Sequence, residues 1–242
     1  MPRASRMARL FICFVILCGL SALCYGVLQV HTLHYFRFLT TLAIALVASR
    51  LKLKLPGLNG TMSVNLPFIL IAVVELGLFE ALMIALASTV AQCFPKGRVR
   101  PNAMQTLFNV STMAVAVGLA GRIFQSRMPP PTAPVSGSLL LVLAAATFFL
   151  VQTIPVATII SLTEGGNALR IWSSIVHLSF PYYVLSAGVA SMVTTASRHW
   201  GWQIPLSILP VMYGVYRSYR LYFDRGETRV RPIALAKAAA AG

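Results

Sequence analysis

Long apolar runs divided by short polar connections set what this 242-residue chain can fold into, and the positive residues sort those connections into two classes. Of twenty Lys and Arg residues, sixteen lie in the connections after every second run and at the two ends: Arg3, Arg6 and Arg9; Arg50, Lys52 and Lys54; Lys96, Arg98 and Arg100; Arg170; and Arg217, Arg220, Arg225, Arg229, Arg231 and Lys237. The other four, Arg37, Arg122, Arg127 and Arg198, fall on the opposite side. Short loops rich in Lys and Arg stay in the cytoplasm, so this partition predicts an even number of membrane spans with both termini inside.

Composition agrees. With 57% apolar and 10% charged residues, the chain has too much apolar surface for an ordinary soluble domain. The net charge of +15 flanks apolar runs, which matches topology and anionic lipid headgroups and argues against nucleic acid as a partner. The four cysteines, Cys13, Cys18, Cys24 and Cys93, form no CxxC pair and are expected to be small buried residues. His31, His34, His177 and His199 are scattered, with no carboxylate at ligand spacing, so neither a metal site nor a cofactor is expected. The chain carries no nucleophile elbow, phosphate-binding glycine loop or HExxH motif, and we expect no enzyme activity.

A helix needs about twenty apolar residues to cross the hydrocarbon core, and eight runs are read as spans. The first two cover residues 10–30 and 34–49. Residues 55–60, Leu-Pro-Gly-Leu-Asn-Gly, cannot continue a helix and are expected at the inner surface or dipping into the bundle. The run over residues 62–94 is too long for one span and short for two; Glu75 to Glu80 offers the turn of a hairpin, its two acids read as solvated at the outer surface. A short, broken or tilted third helix containing Pro67 follows from that reading. Spans five to eight cover residues 104–124, 138–162, 171–196 and 203–216, with Pro155 and Pro181 inside the sixth and seventh. Residues 1–222 are thus an all-α polytopic transmembrane bundle, and residues 223–242 a short cytoplasmic tail expected to be disordered.

Polar groups at membrane depth must find partners, so they are the first candidates for function. Gln105, Asn109 and Thr112 share one face of the fifth span at i, i+4 and i+7. They either line a small-molecule pocket or hold neighbouring helices by hydrogen bonds. Ser88 and Gln92 are placed to face that stripe across an antiparallel pair of helices. Asn59, Ser63, Asn65 and Pro67 gather where the third helix begins, either lining a cavity or, through Asn59, Thr61 or Ser63, capping the helix. His177 reads as a packing histidine with the alternative of a titrating one.

Residues 55–93, LPGLNGTMSVNLPFILIAVVELGLFEALMIALASTVAQC, together with LFNVSTMAVAVGLAGRIF at 107–124 and WQIPLSILPVMYGVYRSYRLY at 202–222, resemble the MASE-type integral membrane sensory modules of bacterial cyclic-di-GMP signalling proteins. The resemblance covers about two thirds of the chain. The middle region is also similar, more distantly, to the substrate-binding membrane subunits of energy-coupling vitamin transporters. In the sensory family the last helix leads into a diguanylate cyclase or HD-GYP phosphodiesterase domain, whereas here about twenty residues follow Tyr222. The resemblance therefore implies a sensory or ligand-binding module of the bacterial inner membrane without its own catalytic output, the alternative being a subunit delivering a vitamin-like solute. The partners expected are the lipid bilayer, a small-molecule ligand, and a cytoplasmic signalling enzyme or an ATPase. Asn59, Ser63, Asn65, Gln92, Gln105, Asn109 and Thr112 are the expected ligand-binding residues.

Overall fold

A computed structural model describes residues 6–30, 35–54, 61–94, 103–125 and 135–200, with seven helical positions between 210 and 221. The continuous helices among the described residues are α1 (Arg6–Leu28), α2 (Tyr35–Ser49), α3 (Leu66–Glu75), α4 (Leu78–Cys93), α5 (Ala103–Gln125), α6 (Val135–Glu164) and α7 (Ala168–Trp200). Between α2 and α3 lie two three-residue strands, β1 (Lys52–Lys54) and β2 (Thr61–Ser63). Among the described residues four helices, α1, α5, α6 and α7, are long and apolar enough to cross a membrane, where eight spans were expected from the runs; α2, α3 and α4 are shorter apolar helices. The eighth run lies largely outside the described residues, and so do residues 55–60 and the tail.

The shortest helix is the most enclosed, and α5, which packs against α1, α3, α4 and α6, is the most buried of the long ones. All eight residues from Leu66 to Val73 are buried, so α3 is enclosed all round, and it packs on α7, α4, α5 and α2. A helix that is apolar on every side belongs in a core. By contrast, α1 keeps Leu10, Phe14, Leu17 and Leu20 exposed, a face suited to lipid. Among the described side chains, the buried positions of α7 run Ile175, Ser179, Tyr182, Ser186, Ala190, Val193 and Thr194, one stripe at helical spacing.

The break between α3 and α4 falls at Leu76 and Gly77, inside the expected turn. Pro67 lies in the first turn of α3, where its missing N–H breaks no helical bond. Glu80 corrects the expectation of a solvated acid: it is buried, and its Oε2 accepts a 2.8 Å bond from the Gly77 N–H. The hydrogen bond is local, because an acid at the third position of a helix reaches back to the N-terminal amide and sits at the positive end of the helix dipole, whereas its burial comes from the surrounding helices.

Helices α1 and α5 approach through small residues. A Cβ at Gly19 would lie 2.7 Å from Ser111 Cα, and one at Gly118 would lie 3.1 Å from Ala22 Cβ. Close backbone approach of this kind replaces the hydrophobic effect, which does not drive helix association in lipid. Near the end of this contact the Arg122 guanidinium stacks 4.9 Å from the centre of the Tyr25 ring.

Three further expectations change. Cys13 and Cys24 are exposed, and Cys18 and Cys93 half-buried, because the outward face of α1 is apolar whether or not protein covers it. His177 is exposed on α7 and does not pack in the core. The stretch after Arg50 is a two-stranded antiparallel ribbon, with Lys52 opposite Ser63 and Lys54 opposite Thr61.

Candidate functional site

The residue that begins α3 organises the polar interior. Asn65 holds the N-cap position, and its carbonyl accepts from Phe68 and Ile69 N–H at 3.1 and 3.2 Å. Its side chain does not cap the helix. Asn65 Nδ2 instead donates to Ser88 Oγ at 3.0 Å, and the Ser88 hydroxyl donates to the Ala85 carbonyl at 2.9 Å. Both side chains are buried. A polar tie between two helices thus replaces a local cap, since an isolated Ser88 hydroxyl can be satisfied within α4 while the Asn65 amide needs a partner from elsewhere.

Neighbouring helices bring further polar groups to the same level. Helices α4 and α5 are antiparallel, with Leu78 packed at Gly121. Counting from Leu78 to Ser88 along one and from Gly121 to Ser111 along the other places Ser88 beside Ser111 and Thr112. Gln152 Nε2 of α6 donates to Met113 Sδ at 3.2 Å, and Trp172 Nε1 of α7 donates to Thr153 Oγ1 at 3.1 Å, which in turn donates to the Phe149 carbonyl at 2.8 Å. Gly19 of α1 sits at Ser111. From Leu10 to Gly19 the helix carries no charged, amide or hydroxyl side chain, a rise of about 14 Å, so this layer is close to the middle of a hydrocarbon core about 30 Å thick.

The expected ligand-binding residues divide. Asn65 is at the centre of the layer, and Gln92 is half-buried one turn beyond Ser88. Thr112 is buried and donates to the Phe108 carbonyl of its own helix at 2.9 Å. Asn109 is half-buried and Gln105 exposed, so the stripe on α5 grades from surface to interior as the helix leaves its first turn. Ser63 belongs to β2, two residues before Asn65, and Asn59 lies outside the described residues. The α3 cap is Asn65 and not Thr61 or Ser63, which the strand claims. Ser88 bonds to Asn65 of α3 and stands on a helix that also packs directly against α5. Gln152, Thr153 and Trp172 were missed by sequence reasoning, although a Gln-Thr pair inside an apolar run is a legible signal.

The layer contains amides, hydroxyls, a thioether and an indole. Such a set can exchange hydrogen bonds with a small molecule or with itself; α3 is held at one end by its two-residue connection to α4 and at the other, where the chain enters from β2, by the Asn65–Ser88 bond. Residues 20–222 match the MASE9 family model. No curated protein and no solved structure matches the chain.

Proposed function

This chain belongs to the MASE9 family of membrane sensory domains, and from that premise we propose that it is a multi-pass sensory module of the bacterial inner membrane, with eight spans and both termini in the cytoplasm, that binds a small molecule at the Asn65 layer. The Asn65–Ser88 bond is the observation that carries the reading. It joins the start of a short, enclosed helix to its neighbour at mid-membrane depth, where a polar bond can be exchanged for one to a ligand.

The proposed mechanism is a shift in packing. A ligand that takes the Asn65 amide as its partner releases α3 from Ser88, and α3 passes the change to α7, against which it packs. Such a ligand shifts the equilibrium only by its difference in affinity for the two arrangements. Helix α7, and the proposed eighth span that follows it, then carry the shift to the basic and aromatic stretch at 216–225, where a cytoplasmic signalling enzyme is the proposed receiver. The module itself performs no chemistry in this reading. The positive residues support the orientation, and reporter fusions after residues 54, 100 and 127 test it: the first two are expected inside and the third outside, and the reverse pattern defeats it.

Binding is tested by native mass spectrometry of the protein purified in mild detergent from its host, beside Asn65→Leu. A retained metabolite lost in Asn65→Leu, with the variant still folded, is the expected result. A metabolite retained equally by both places the ligand elsewhere. A co-purifying ATPase in place of a signalling enzyme would favour the solute-delivery alternative.

A further inference from the structure

Near the ends of α1 and α5, three side chains from the two helices form one cluster. The helices run parallel, with Gly19 at Ser111 and Ala22 at Gly118, and at the next contact the Arg122 guanidinium lies over the Tyr25 ring, 4.9 Å from its centre. One turn further along α1, Gln29 Nε2 donates to the Tyr25 hydroxyl at 3.2 Å. Tyr25 and Gln29 are half-buried and Arg122 is exposed. Arg122 stands eleven residues beyond Ser111, a rise of about 16 Å. Half the hydrocarbon thickness is about 15 Å, so with the Ser111 layer near the middle, Arg122 and Gln29 stand at the boundary with the headgroups. Tyrosine is enriched at that boundary, and arginine keeps its charged end there.

The cluster has more donors than acceptors. A guanidinium carries N–H groups and no acceptor, and a ring over its face leaves the N–H edge for a partner. Among the described residues no carboxylate pairs with Arg122. Glu80, near the Gly121–Leu78 contact, has its Oε2 on the Gly77 N–H. The Tyr25 hydroxyl accepts from Gln29, so its own proton is left to donate, and it meets no acceptor among the described residues. A cation in the last turn of α5 suits the helix dipole, but the dipole explains neither the stacking on Tyr25 nor the bond from Gln29. Together these hold a charged fork and a hydroxyl in place for one anion with several oxygens.

We infer that this cluster binds the phosphate of a membrane phospholipid, with Arg122 as a bidentate donor, the Tyr25 hydroxyl as a second donor and Gln29 as a positioning residue. The two unesterified oxygens of a phosphodiester match the paired N–H groups of a guanidinium, and either can also accept from a hydroxyl. Free phosphate has the same chemistry. The lipid is the better match, because the donors stand at headgroup depth and exposed apolar residues flank them on both helices: Leu119 three residues before Arg122 and Leu28 three after Tyr25. A lipid held there joins the ends of α1 and α5 and completes the contact that Gly19 and Gly118 begin. The orientation proposed above makes the leaflet the outer one, but the site does not depend on it.

The test is native mass spectrometry of the full-length protein, delipidated in mild detergent and titrated with phosphatidylglycerol or with diacylglycerol of the same chains. The first phosphatidylglycerol is expected to bind about tenfold more tightly than diacylglycerol, and equal binding overturns the site. Arg122→Gln is expected to weaken that first step about tenfold, and Tyr25→Phe, which keeps the ring under Arg122, about threefold. Arg122→Lys keeps the charge without the fork and is expected to fall between wild type and Arg122→Gln; wild-type binding by this variant overturns the bidentate assignment. Arg37→Gln removes an exposed arginine of α2 and is expected to bind as wild type. A loss at Arg37→Gln equal to that at Arg122→Gln shows general attraction of charge and overturns the site. So does unchanged binding in both Arg122→Gln and Tyr25→Phe. Displacement of the lipid by inorganic phosphate, but not by chloride at the same ionic strength, overturns the lipid as the ligand and leaves a phosphate site.

Discussion

Along the contact of α1 with α5, helices are held by the absence of side chains: Gly19 meets the Ser111 backbone and Gly118 meets Ala22, and no polar bond is needed. Between α3 and α4 they are held by a polar bond, Asn65 to Ser88, beside a helix only ten residues long. The first contact is set by shape and has one arrangement. The second can be exchanged, because the Ser88 hydroxyl keeps its own helix carbonyl as partner and the Asn65 amide can accept another. On the proposed function both are needed, a frame that does not yield and an element that does.

The largest expected effect lies in the frame. Gly19→Leu places a side chain on the Ser111 backbone, which cannot withdraw, and should destabilise the protein by about 3 kcal/mol. The check is a thermal melt in detergent beside Gly137→Leu, where a Cβ meets nothing within 4 Å and no change is expected. Equal melting of the two variants would break the contrast. Glu80→Ala should remove about 1.5 kcal/mol, since the buried Gly77 amide loses its acceptor at the turn that joins α3 to α4. Restoration by Glu80→Gln, which keeps an acceptor, would assign the loss to the cap.

Smaller effects belong to the exchangeable element. A double-mutant cycle of Asn65→Leu and Ser88→Ala should give a coupling of about 0.6 kcal/mol, the average for polar pairs between membrane helices. A coupling above about 2 kcal/mol would make the tie as rigid as the frame and remove the reason to regard it as a switch. Trp172→Phe, which loses one bond to Thr153 and keeps the ring packing, should cost about 0.5 kcal/mol or less in the same assay.

Much of this was legible from residue order. The two-residue break at Leu76 and Gly77 and the placement of Pro67 followed from run length and backbone chemistry, and the MASE-type resemblance is the family that matches. The ribbon was not legible, because Lys52 to Lys54 and Thr61 to Ser63 lack a continuous β pattern and gain their register only from each other and from the Leu51–Val64 bond. Glu80 was misread for a related reason. An acid near an apolar turn looks solvated in one dimension, and its burial depends on helices that fold over it.

The sequence by itself determined that this is a membrane-embedded helical protein, since apolar runs of that length leave no aqueous alternative and the positive residues divide between their two ends. Tertiary structure alone decided which helix lies at the centre. Every run is apolar, so hydropathy cannot separate lipid-facing from protein-facing surfaces when the two are equally dry. Close approach at Gly19 and the partner taken by Asn65 make that distinction, and both are relations between residues far apart in the chain.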